Sequence, residues 1–209
     1  SESLGSTIGD RTVGTFGDVA CFSFNGNKLI TTGGGGMLVT DRADWSEKAR
    51  YLTTQAKDDQ IEYIHGEIGY NYRLTNIQAA LGVAQLEQLS GFMERNVEIS
   101  HQYQNALNGV DGLSIADVPD YADNNHWVNV LQIDNEVYGE DRDSIMQRLE
   151  KNGIQTRPAW ALNHLQKPYR DCQSYKIEKA EKLVEQSLCI PSSVGIGTEE
   201  IQKVISSLV

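Results

Sequence analysis

No stretch of this sequence stays apolar for the roughly 18 to 20 residues that a helix needs to span a bilayer. Its opening residues, SESLGSTIGD, are polar and lack the basic and apolar regions of a secretory signal. Positive charge is scarce as well: 18 Lys and Arg stand against 29 Asp and Glu, a net charge of -11. That balance argues against nucleic acid or a membrane surface as the main partner, while leaving room for a local basic pocket that takes a nucleotide-bearing substrate. Cysteine is rare and odd in number. Cys21, Cys172 and Cys189 have no metal-site spacing, which predicts no metal centre and fits reduced thiols in the cytoplasm. Repeats and low-complexity tracts are absent, and 209 residues with 39% hydrophobic content suit one large or two small domains.

What is present is organised around Val19 to Asp41, VACFSFNGNKLITTGGGGMLVTD. Apolar runs bounded by glycine predict a strand over Val19 to Phe24, a polar loop carrying Lys28, a turn at Gly33 to Gly36, and a second strand over Met37 to Asp41. An amine held against apolar walls between two strands is a usable nucleophile, because desolvation disfavours its charged form. On an exposed hairpin the same lysine would simply be solvated. The glycines permit positive φ and close backbone approach with or without a ligand. Nucleoside triphosphate hydrolysis is not supported, since Gly26-Asn27-Lys28-Leu29 has neither the spacing nor the hydroxyl of the P-loop motif.

Downstream, Arg42 to Gln55 reads as an amphipathic helix and Lys57 to Glu67 as a polar, mobile loop. Thr75 is a predicted N-cap for a long helix from Asn76 to about Leu107, with Gly91 as its weak point. Past Gly109 the pattern changes. Strands are predicted at Gly112 to Ala116, Trp127 to Ile133 and Ile154 to Arg157, and helices at Arg142 to Lys151, Ile177 to Leu188 and Glu199 to Leu208, the last capped by Thr198. This interleaving is that of a small α/β domain.

SFNGNKLITTGGGGMLVTD resembles the lysine segment of the DegT/DnrJ/EryC1/StrS sugar aminotransferases, through Ser23, Phe24, Lys28, Thr32, Gly35, Gly36 and Thr40-Asp41. GYNYRLTNIQAALGVAQL is similar to a second segment of the same family. The resemblance implies an α/β fold, that of the C-terminal part of an aspartate aminotransferase-like, pyridoxal-phosphate-dependent enzyme. Residues 1–110 would be the C-terminal part of the cofactor-binding large domain, and residues 111–209 a small α/β domain. It implies pyridoxal 5'-phosphate as cofactor, Lys28 as the catalytic residue that carries it, and Ser23 as a phosphate contact. Asn71, with Arg73 in support, would reach the cofactor phosphate of the partner subunit in a homodimer. Glu2 fits the last position of the family's Asp-x-x-Gln/Glu/His motif, whose aspartate would lie three residues earlier. The chain opens without Met and mid-domain, so it reads as a portion of a longer enzyme, expected to be inactive alone.

The third informative stretch, GIQTRPAWALNHLQKPYRDCQSYKIEKAEKLVEQSLCIPSS, resembles a narrower branch acting on UDP-linked 4-keto-6-deoxy-N-acetylhexosamines on routes to bacillosamine and legionaminic acid. On that likeness Arg157, Trp160 and His164 belong to the substrate side, the arginine for a diphosphate or carboxylate and the tryptophan for a sugar or base. A core tryptophan and a surface histidine are the competing readings. The activity implied is transfer of an amino group from L-glutamate to a keto sugar for cell-surface glycan synthesis. Relatives with histidine at the lysine position dehydrate sugars instead, and the presence of Lys28 favours transamination. The alternative is a non-catalytic fragment that serves as a dimerisation and sugar-nucleotide-binding module.

Overall fold

The computed structural model describes residues 1–59 and 61–209. In chain order the elements are β1 (Thr7–Ile8), β2 (Arg11–Thr12), β3 (Ala20–Ser23), β4 (Gly36–Val39), α1 (Ala43–Thr53), β5 (Lys57–Asp59), β6 (Ile64–His65), α2 (Asn76–Leu86) and α3 (Leu89–Leu107). There follow β7 (Leu113–Ile115), β8 (Ala122–Asp123), β9 (Asn129–Ile133), α4 (Asn135–Tyr138), α5 (Arg142–Lys151), β10 (Arg157–Pro158), α6 (Glu178–Glu185), β11 (Ser187–Ile190) and α7 (Thr198–Ser206). The chain forms two compact units, residues 1–93 with 119–125, and residues 94–118 with 126–209.

The second unit is built on an antiparallel sheet in the order β10-β11-β9-β7. Burial alternates along β9, with Asn129, Leu131 and Ile133 inside, as a strand with one packed face requires. Ile99, Tyr103 and Leu107 of α3, Ile145 and Leu149 of α5, and Ile201, Val204 and Ile205 of α7 complete the core, at the three- and four-residue spacing of helix faces. The α5 helix starts where expected because the Asp141 side chain accepts the Ser144 N–H at 2.8 Å. Its carboxyl is held below the usual range by the hydrogen bonds from Ser144.

Three expectations change in this unit. The helix predicted over 177–188 stops at Glu185, and Ser187–Ile190 form β11, a central strand. Leu188 and Ile190 alternate toward the core, a period of two that a helix tail can imitate over four residues. Strand structure near Ile154 narrows to Arg157–Pro158, and Pro158, with no N–H, is accommodated because β10 is an edge strand. The last helix is capped by Gly197 rather than Thr198, with the Glu200 carboxylate accepting the Gly197 N–H at 2.7 Å.

The first unit has a different character. It holds the two-stranded sheet β3-β4, the small sheet β2-β1-β8 and the hairpin β5-β6. Among its described residues, the buried hydrophobic side chains are Phe24, Ile30 and Ala56. The single helix expected from Asn76 to Leu107 is two helices, and the break falls at Glu87 and Gln88 rather than at Gly91, which lies within α3. There the Gln88 N–H bonds the Gln85 carbonyl three residues back, the tighter turn that ends an α-helix. The expected mobile loop over 57–67 contains the hairpin β5-β6, while Gln60 lies outside the described residues. Tyr51 donates to Asp58 at 2.7 Å, and Lys48 pairs with Glu67 across its base.

Candidate active site

The loop between β3 and β4 is pinned at its neck. Phe24 donates its N–H to the Gly35 carbonyl and accepts at its own carbonyl from the Thr32 N–H, both at 3.0 Å. The Thr31 hydroxyl also donates to the Phe24 carbonyl at 3.1 Å, and the side chains of Phe24, Ile30 and Thr32 are buried. From above, the Gln85 amide oxygen of α2 accepts the Thr31 N–H at 3.3 Å. Gly35 has φ of +86°, and a Cβ there would collide with Leu74; a Cβ on Gly36 would collide with the Phe22 carbonyl. Gly35 and Gly36 therefore serve close packing of this loop.

Lys28 sits on that loop with its side chain only 13% exposed, and its Nζ lies 2.9 Å from Glu2 Oε1. A carboxylate thus stands beside the amine, where the sequence suggested apolar walls alone. Glu2 is held in turn by Asn125, whose amide donates to the Glu2 carbonyl at 2.8 Å and to the Leu4 carbonyl at 3.0 Å. The Asn125 N–H donates to Ser6 Oγ at 3.1 Å. Asn125 is a positioning residue that sequence reasoning missed. Its partners lie more than a hundred residues away in the chain, and no local pattern marks it.

Ser23 closes β3 opposite Gly36. Its hydroxyl accepts one long bond from the Asn25 N–H at 3.4 Å and donates to no acceptor among the described residues. Asn71 is exposed and forms a bridge with Thr54 just past α1, where Gln55 and Ala56 take positive φ and Gly69 packs against their backbone. Flanking it, the Tyr70 and Tyr72 rings stack with centroids 5.1 Å apart. Arg73 is exposed and makes no ion pair among the described residues. Thus Glu2 and Lys28 are in direct contact, whereas Asn71 and Arg73 are held by a separate backbone scaffold in the same unit.

The candidates of the second unit are placed as follows. Arg157 is exposed on β10; its guanidinium donates to the Thr156 carbonyl at 2.9 Å and, with the Gln155 amide turned to present its oxygen, to Gln155 Oε1 at 3.2 and 2.9 Å. Trp160 is 57% exposed, and its ring lies 6.2 Å from that of Trp127 with a 30° tilt. His164 Nε2 lies 3.3 Å from Glu181 Oε1, and the ring lines a cavity of about 370 Å³ together with Tyr169, Cys172 and Tyr175. No cluster of His, Cys, Asp and Glu able to hold a metal occurs among the described residues. Nor is any helix among them long and apolar enough to cross a membrane.

Comparison with known proteins places the chain in a family. Bacillus subtilis EpsN, named as a candidate pyridoxal phosphate-dependent aminotransferase, is 41% identical over all of this chain and 54% of its own length. The GDP-perosamine synthase of Caulobacter vibrioides is 32% identical over all of this chain and 56% of its own. Among solved structures, DesI in the presence of its TDP-sugar product superposes with a TM-score of 0.90 at 28% identity, over 100% of this chain and 53% of that one. TlmJ of Streptoalloteichus hindustanus gives 0.88 at 28%, over 98% and 54%. The chain thus spans about half the length of the relatives it matches. Its fold is that of pyridoxal phosphate-dependent sugar aminotransferases. The family model matches residues 1–209, and the chain belongs to the DegT/DnrJ/EryC1/StrS aminotransferase family.

Proposed function

We propose that this chain supplies the lysine-bearing part of an enzyme that transfers an amino group from L-glutamate to a nucleotide-linked 4-keto-6-deoxy sugar, a UDP-linked N-acetylhexosamine, for cell-surface glycan synthesis in the cytoplasm. The observation that carries the reading is Lys28: a largely buried primary amine on a pinned loop, 2.9 Å from a carboxylate. The residues fit pyridoxal phosphate. The hydroxyl proton of Ser23 is left for a phosphate oxygen, and Lys28 offers the amine for the aldehyde. When bound, the cofactor supplies an electron sink for the carbanion at the donor's Cα.

The chain's own groups do the rest. Lys28 Nζ acts as general base toward the Cα proton of the donor, and Glu2 orients that amine. Asn71 and Arg73 offer an amide donor and a cation for a phosphate dianion of the partner subunit's cofactor. The exposed apolar side chains Ile61, Ile68, Tyr72 and Ile77 suit burial against a second copy in a homodimer. Arg157, Trp160 and His164 form the substrate side. Relatives named for GDP- and TDP-linked sugars support a nucleotide-linked sugar and differ in the base.

The test is amino transfer. In the longer enzyme that carries this chain, pyridoxal phosphate, 15N-labelled L-glutamate and a UDP-4-keto-6-deoxy-N-acetylhexosamine should give labelled amino sugar and 2-oxoglutarate, and Lys28→Ala should give neither. A second reading is a non-catalytic dimerisation and sugar-nucleotide-binding module. Sugar-nucleotide binding without any turnover would support that module and count against catalysis by this chain.

A further inference from the structure

We infer that Trp127 and Trp160 together form an aromatic platform for a ring of the nucleotide-sugar substrate, with Arg157 as the cation for its diphosphate. This rests on the substrate class proposed above and adds Trp127, together with a mode of binding.

The two rings come from separate parts of the sheet. Trp127 precedes β9 and Trp160 follows β10, with β11 between those strands. Neither ring joins the hydrophobic core of the second unit, although that core gathers apolar side chains from α3, α5 and α7. A lone exposed tryptophan is unremarkable as surface, but two that converge from distant positions, one of them 57% exposed, make a concentrated apolar face. Slotting a guest ring between two faces needs about 7 Å, twice the roughly 3.5 Å carbon contact distance. The observed separation is 6.2 Å, so the guest lies across the tilted pair rather than between them.

Charge specifies the rest of the ligand. In a chain of net charge -11, Arg157 pairs with no carboxylate among the described residues. Its guanidinium is oriented by neutral oxygens of Thr156 and Gln155, which leave the positive charge uncompensated. Two residues separate it from Trp160. A cation beside a flat apolar face suits a diphosphate joined to a ring. That ring is either the nucleobase or the apolar face of the pyranose, and both occur in a nucleotide sugar.

Tryptophan emission tests the platform, in a Trp45→Phe background so that Trp127 and Trp160 alone report. UDP-N-acetylglucosamine should quench emission saturably. Trp127→Leu and Trp160→Leu should each weaken its binding about tenfold by calorimetry, with Trp127→Phe recovering most of the loss and all variants melting like the parent. Arg157→Gln should weaken UDP and leave N-acetylglucosamine unaffected. Trp-dependent quenching by UDP alone assigns the base to the platform, and quenching only by the full sugar nucleotide assigns the pyranose. No quenching, or unchanged affinity in the Trp127→Leu/Trp160→Leu double variant, overturns the proposal. Borohydride trapping of pyridoxal phosphate on Lys28 separates the two levels. Trapping without quenching leaves the aminotransferase standing and removes the platform; quenching without trapping does the reverse.

Discussion

The second unit buries a large apolar cluster, whereas the first buries few of its apolar side chains and carries many on the outside. From residue 94 onward, Ile99, Leu131, Ile145, Leu149, Leu188 and Ile201 are fully buried in one cluster around a four-stranded sheet. In the first unit α1 and α2 bury no residue, and Ile61, Ile68 and Ile77 are more than four-fifths exposed. Yet the first unit holds the Lys28–Glu2 pair and the most tightly specified loop. The largest buried core and the lysine proposed for the chemistry therefore fall in different parts of the chain. The core of one unit stands by its own burial, while the lysine loop is fixed by hydrogen bonds and glycine packing.

The sharpest way to break that division is at Lys28. Lys28→Ala should lower glutamate turnover by at least ~10²- to 10⁴-fold, the range of a lost general base, while the melting temperature stays the same. A large drop in stability instead would make Lys28 part of the folding framework. Next in size, Leu131→Ala in the second core should cost about 2–5 kcal/mol in urea unfolding. The matching truncation on the exposed face of α2, Leu81→Ala, should stay within about 0.5 kcal/mol. Equal costs would erase the contrast between the units. Smaller still, Thr75→Ala removes the box in which Thr75 and Gln78 cap α2, and should cost about 1 kcal/mol.

The last prediction concerns pH. Burial, reinforced by nearby His101, pushes the His126 imidazole below its ordinary range. The folded state therefore favours neutral His126, and this contribution is fully present above the unfolded value of about 6.5. It is lost as pH falls from there through the lowered folded value. Stability of the second unit should decline over that acidic window, and His126→Asn should flatten the decline. An unchanged slope would mean that other groups set the acid limb.

What could be read from the sequence was local. The strand, lysine loop, glycine turn and strand around Lys28 follow from apolar runs and glycine positions, and α5 and the Thr75 cap follow from side chains two or three residues from the helix start. What escaped depends on distant partners. Asn125 fixes Glu2, Gln85 reaches Thr31, and Trp127 meets Trp160 only after the chain has folded. The segment SLCI became a strand because β9 and β10 were there to pair with it, whatever its helical neighbours suggest. The hairpin over 57–65 is set by side-chain bonds at its base and by Lys57 over Tyr63, not by alternation.

The central claim is that Lys28 carries the cofactor, and its most direct test is chemical. The chain is incubated with pyridoxal phosphate, reduced with borohydride, digested, and mapped by peptide mass spectrometry. One stoichiometric phosphopyridoxyl group on Lys28, with no other lysine labelled, is the predicted result. Labelling scattered over surface lysines, or absent from Lys28, would contradict it.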